Sequence, residues 1–158
     1  MPPPPLTDLL AVYDQAFAGR SWHGTPLWGA LRGLDADHAL RRPAPGRHNA
    51  WELVLHCAYW KFVARQRITG DAELAFPRAG HNFPELPPVP HEAEWKRDRA
   101  LLKREHDLLR AVVAALKPSA LTRRAGKSRF TVAETVVGIA SHDLYHAGQV
   151  QLVRRLTV

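Results

Sequence analysis

One cysteine stands in the whole chain, Cys57, which rules out an intramolecular disulfide and any cysteine-rich metal knuckle. A metal ion, if one is held, therefore falls to histidine and carboxylate. Long apolar runs are missing too: no stretch approaches the ~20 consecutive apolar residues that a membrane-spanning helix needs. The opening MPPPPLTDLL has neither a basic start nor a sufficient apolar core. No secretory leader is expected from it, and the cytoplasm is the expected compartment. Sustained alternation of apolar and polar residues is also lacking, apart from a short candidate extended piece around residues 121–130, so little of the chain reads as sheet.

Acidic charge is the minority sign. The 22 Lys and Arg against 15 Asp and Glu leave a net charge of +7, which raises the question of phosphate binding. Residues 1–40 carry four acids and two bases, whereas residues 117–158 carry two acids and seven bases, so the excess gathers toward the C-terminus. It arrives as scattered pairs, Arg41 with Arg42, Arg123 with Arg124 and Arg154 with Arg155, without interleaved aromatics. That is the pattern of a solvated surface, and a nucleic-acid partner is not expected. The 158 residues suit one domain, spanning 1–158, with a single core and one principal site.

Helical spacing dominates what is present. LTDLLAVYDQAF places Leu6, Leu9, Leu10, Tyr13 and Phe17 on one stripe, with Thr7 or Asp8 as the expected cap. TPLWGALRGL gives a shorter helix with Pro26 at its first position, ended by Gly33 and the acidic DAD. Asn49 stands as N-cap before a long helix, AWELVLHCAYWKFVARQRIT, which Gly70 stops. The proline-rich residues 71–90 read as a loop of the length that often serves as lid or pocket wall. A third long helix runs to Lys117 before Pro118, and Thr131 with Glu134 forms a capping box for the last, VAETVVGIASHDLYHAGQVQLVRRL. Four long helices and no convincing strand predict an all-α four-helix bundle.

The last helix carries the chemistry. His142 and His146 are four apart, so they stand one turn above the other on one face, close enough for two imidazoles to reach one cation. They interrupt an apolar stripe that also holds Ile139 and Val153, and two buried imidazoles without a shared partner would be costly. A bundle completes such a pair from a neighbouring helix. His56, beside the apolar face of the second long helix, is the best third ligand; His106, among charged neighbours on the third, is the next. His23, His38, His48, His81 and His91 fall in loops or at helix ends and read as surface residues. A lone helical histidine is more often a hydrogen-bonded core residue, so the pair carries more weight than His56 alone. Neutral imidazoles with open coordination positions suit Zn or Ni first and Fe next, over Ca or Mg.

Asp143 follows the first histidine as the general base does in His-Glu-x-x-His zinc peptidases, but it is one methylene shorter and no histidine follows His146. It reads as an acceptor behind the ligands or as a surface residue, and Tyr145 and Gln149 as hydrogen-bond partners or packing. Cys57 points about 100° away from His56 and reads as a small core residue. The tryptophans read as mostly core, with Trp60 and Trp95 as candidate pocket walls.

With WELVLHCAYW on one helix and SHDLYHAGQVQLVRRL on the last, the sequence resembles the DinB/YfiT-like superfamily of metal-binding four-helix proteins, whose ending is His-x-x-x-His-x-Gly-Gln. The residues leading into WELVLH are similar as well, so the resemblance covers nearly the whole chain. It implies a three-histidine metal site of His56, His142 and His146, and a homodimer. Some relatives are low-molecular-weight-thiol transferases or isomerases, and others have no established activity. The resemblance thus implies a metal-dependent enzyme acting on a small molecule, a thiol S-transferase first and a hydrolase next. Among the chain's own basic side chains, Arg47 or Arg65 is the candidate to receive a carboxylate on the thiol. The alternative is a metal-binding stress-response protein without turnover. No catalytic residue is assigned beyond the ligands.

Overall fold

The protein is described by a computed structural model covering residues 4–157; the ends of the expected 1–158 unit, residues 1–3 and 158, lie outside the described residues. Among those residues there are six α-helices and no strand. They are α1 (Leu6–Phe17), α2 (Leu27–Ala30), α3 (Ala36–Leu40), α4 (Ala50–Thr69), α5 (Glu92–Ala114) and α6 (Val132–Leu156), with a 3-10 turn at Pro118–Thr122. The four long ones form the expected bundle. The candidate extended piece near residues 121–130 is reduced to one isolated bridge between Arg124 and Thr131.

Local chemistry sets most boundaries. The Asn49 side chain accepts from the Glu52 amide while the Glu52 carboxylate accepts from the Asn49 amide, and Thr131 and Glu134 repeat this capping box at α6. Gly70 ends α4 in the left-handed conformation, φ 72°, where a side chain would be strained. Four expected boundaries are corrected. Neither Thr7 nor Asp8 caps α1; the Pro5 carbonyl accepts from the Asp8 and Leu9 amides, and no side chain contributes. Pro26 precedes α2 rather than opening it. The DAD stretch does not merely stop a helix: the Asp35 carboxylate accepts from the His38 amide and starts α3. On the third long helix, α5 ends at Ala114, short of Lys117, and Pro118 opens the 3-10 turn.

α4 is the central element, packed against α3, α5 and α6. Its apolar residues therefore follow no single stripe, and the polar His56 and Lys61 are buried with the rest. One apolar cluster gathers Trp51, Leu53, Trp95, Ala147 and Val150; a second gathers Leu9, Tyr13, Leu109, Val136 and Ile139. On α6 the two meet between Ile139 and Ala147, the turns that carry His142 and His146. Trp51 and Trp95 are fully buried, and each indole N–H has an acceptor 2.8 Å away, Asp98 and the Leu34 carbonyl respectively. Asp98 also holds Arg78, which ties the 71–90 loop to α5.

Candidate metal centre

Three imidazoles from two helices meet at one point. His56 Nε2 lies 3.0 Å from His142 Nε2, and His146 Nε2 lies 3.0 Å from the same atom. The i, i+4 spacing puts His142 and His146 one turn apart on one face of α6, with their rings edge to face, and the packing of α4 along α6 delivers His56. His56 and His146 are buried and His142 is half-buried.

The far side of each ring decides what the near side offers. His56 Nδ1 lies 2.6 Å from the Asn82 carbonyl oxygen, which can only accept, so the proton of a neutral His56 is on Nδ1 and its Nε2 is a bare lone pair. His146 Nδ1 donates in the same way to Gln149 Oε1 at 2.6 Å, and Gln149 in turn donates to the Tyr145 hydroxyl at 3.2 Å. Two lone pairs thus aim at His142 Nε2, where one proton can serve only one of them at a time; a divalent cation serves all three. This donor set fits a metal of the imidazole-preferring class, and outer hydrogen bonds of this kind are how ligating histidines are oriented.

Burial keeps the rings neutral. Desolvation lowers the pKa of His56; it takes His142 down to about 3 and His146 to about 4, with the neighbouring imidazoles adding to the effect. At neutral pH all three present unprotonated nitrogens, the form a metal binds.

The triad forms part of the wall of a cavity of about 760 Å3. Phe83 from the 71–90 loop stacks on His56 at 4.2 Å and on His48 at 3.7 Å, so part of that loop is a pocket wall. Asn82 holds its carbonyl on His56 with φ 62°, the one positive φ among the described non-glycine residues, and its side chain accepts from Trp60 Nε1 at 2.9 Å. Leu152 and Leu156 add apolar surface, and Arg47 stands at the rim with no carboxylate in ion-pair range among the described residues.

Other expected residues lie elsewhere. His106 does not join the triad; it is buried between the rings of Tyr13 and Phe17, at centroid distances of 4.4 and 3.9 Å. Arg65 is spent on Glu105, with its guanidinium 2.9 Å from that carboxylate, so of the two arginines only Arg47 faces the cavity. Trp95 is core rather than pocket wall, and Trp22, 99% exposed, is an exception to the expectation that the tryptophans are mostly core. Asp143 is not a surface residue: it is wholly buried and ion-paired with Lys61 on α4 at 2.5 Å. Cys57, His142 and Asp143 also lie within ligand reach of one another. Burial pushes the Cys57 thiol well up and Asp143 is committed to Lys61, so Cys57 keeps its reading as packing.

Asn82, Phe83 and His48 are site residues that no pattern in the sequence marks. Asn82 and Phe83 reach the site because their loop folds back over α4, His48 at the entry to α4 joins it through the Phe83 ring, and neither spacing nor periodicity carries that information.

Against known proteins, the model of the DinB superfamily matches residues 21–150. No curated protein and no solved structure matches the chain.

Proposed function

The chain belongs to the DinB superfamily, and on that premise we propose that it is a divalent-metal protein in which His56, His142 and His146 hold the ion and act as a thiol S-transferase site. The observation that carries the reading is the convergence of three neutral imidazole nitrogens at the wall of a 760 Å3 cavity. A bound Zn, Ni or Fe ion there would lower the pKa of a small thiol and hold it as the nucleophilic thiolate. The chain's own residues do the rest. Asn82 and Gln149 fix the ring orientations, Phe83 and Leu152 exclude water, and Arg47 receives a carboxylate at the rim. The chain acts as one domain, and as a homodimer: Tyr145, Leu152 and Leu156, 65%, 57% and 61% exposed along one side of α6, offer apolar surface for a second copy to cover.

Metal analysis and a thiol-conjugation screen test this directly. Purified protein should carry stoichiometric divalent metal, His142→Ala should carry none, and conversion of small thiols should stop on chelation. Metal retained by His142→Ala would sink the triad; full metal with no conversion of any thiol would leave a binding protein without turnover. Gln149→Ala should keep the fold and weaken metal affinity roughly 10–100-fold, because His146 loses the acceptor that orients it. Competition against a fluorescent chelator reads that loss.

A further inference from the structure

The triad is open on a second side. His56 and His142, but not His146, also line a separate cavity of about 480 Å3 between α4 and the start of α6. Its walls are Trp60, Phe130 and Ile139, and Arg67 lies on its rim. Two guanidinium groups sit against its aromatic rings, Arg67 5.9 Å from the Trp60 ring centre and Arg129 4.9 Å from that of Phe130. Neither has a carboxylate within ion-pair range among the described residues. The one acid in the lining, Glu134, is engaged in the capping box with the Thr131 amide and hydroxyl, at 2.7 and 2.9 Å.

Gly138 lines the same cavity in the interior of α6, where glycine is a poor choice for a helix. No close approach explains it, since a Cβ built there meets no atom within 4 Å. A larger residue would fit the backbone and fill the cavity instead. The glycine costs helix stability and keeps space open beside the triad.

We propose that this cavity is a seat for a flat organic anion, an aromatic or conjugated carboxylate, with its face against Trp60 or Phe130 and its charge at Arg67. Resting on the transferase reading, this makes it the place of the second reactant, which reaches the triad from a different side than the 760 Å3 cavity. The seat itself does not depend on a metal.

The test uses metal-stripped protein and 4-fluorobenzoate, followed by fluorine NMR. Wild type should bind the probe with a dissociation constant in the millimolar range or below. Gly138→Leu, which raises helix propensity and should melt no lower than wild type, should weaken binding at least tenfold, and Arg67→Gln likewise. Leu152→Ala, confined to the other cavity, should leave it unchanged. No binding by wild type, or affinity indifferent to Gly138→Leu and Arg67→Gln, overturns the seat. Because no metal is present, these outcomes are independent of the metal analysis. Repeating the titration on metal-loaded protein with excess 2-mercaptoethanol addresses the two-sided approach: unchanged affinity supports separate seats, and competition overturns them.

Discussion

Asp143→Ala is expected to destabilise the protein by about 3–5 kcal/mol, a large part of the 5–15 kcal/mol available to a typical domain. Asp143 and Lys61 are both wholly buried and pair across α4 and α6. Removing the carboxylate strands an ammonium among the Tyr13 and Phe17 rings, whose faces lie 4.9 and 5.1 Å from Lys61 Nζ and replace little of its hydration. The native pair is itself imperfect. Asp143 Oδ1 has no hydrogen-bond partner, and burial pushes the carboxyl above its usual range despite the nearby ammonium. The double variant Lys61→Met with Asp143→Leu should therefore recover most of the loss, since removing both charges leaves nothing uncompensated. Thermal melts read the result: the single variant should fall by roughly 10–15 °C at this chain length, and the double variant should return near wild type. A single variant that melts with wild type would mean that the pair is hydrated and contributes little.

The same pair shows where the sequence stops being legible. His142 and His146 could be placed because both lie on one helix and their spacing fixes a shared face. His56 could be placed because it borders an apolar stripe and has a partner pair to join. Lys61 offered no signal: on a helix with one buried face a lysine belongs in water, and only the packing around α4, with the Tyr13 and Phe17 rings of α1 and Asp143 of α6 closing over the ammonium, buries it. Asp143 was legible as a residue behind the ligands but not as half of an ion pair, because its partner lies 82 residues away. The caps of α4 and α6 were readable at single-residue level, since Asn49 with Glu52 and Thr131 with Glu134 are local reciprocal bonds. The start of α1 was not, because its cap is a main-chain carbonyl that any residue supplies. Loop closure is the extreme case: Asn82 and Phe83 orient and cover His56 through contacts that no local pattern encodes.

The metal-free protein should lose stability steadily from pH 6.5 downward, and His106 should account for a separable share. Its ring is sandwiched between Tyr13 and Phe17, its Nδ1 is buried without a partner, and the Lys61 charge is nearby. Desolvation first, then the Lys61, Lys103 and Arg110 charges, hold its pKa at about 2. Asp14 lies 3.6 Å from Nε2, but Arg110 already holds that carboxylate at 2.8 Å, so little of its charge is left to stabilise an imidazolium. The unfolded chain takes up the proton near pH 6.5 while the folded one does not. The contribution is therefore fully present above pH 6.5 and shrinks by about 1.4 kcal/mol per unit as pH falls toward 2, or roughly 2.5 kcal/mol between pH 7 and 4.5. Urea unfolding of metal-free wild type and His106→Leu across that interval isolates the effect, since the triad histidines titrate in both proteins. The leucine variant should show the shallower slope by about 1.4 kcal/mol per unit. Were His106 instead an imidazolium paired with Asp14, wild type would gain stability relative to the variant as pH falls, the opposite sign.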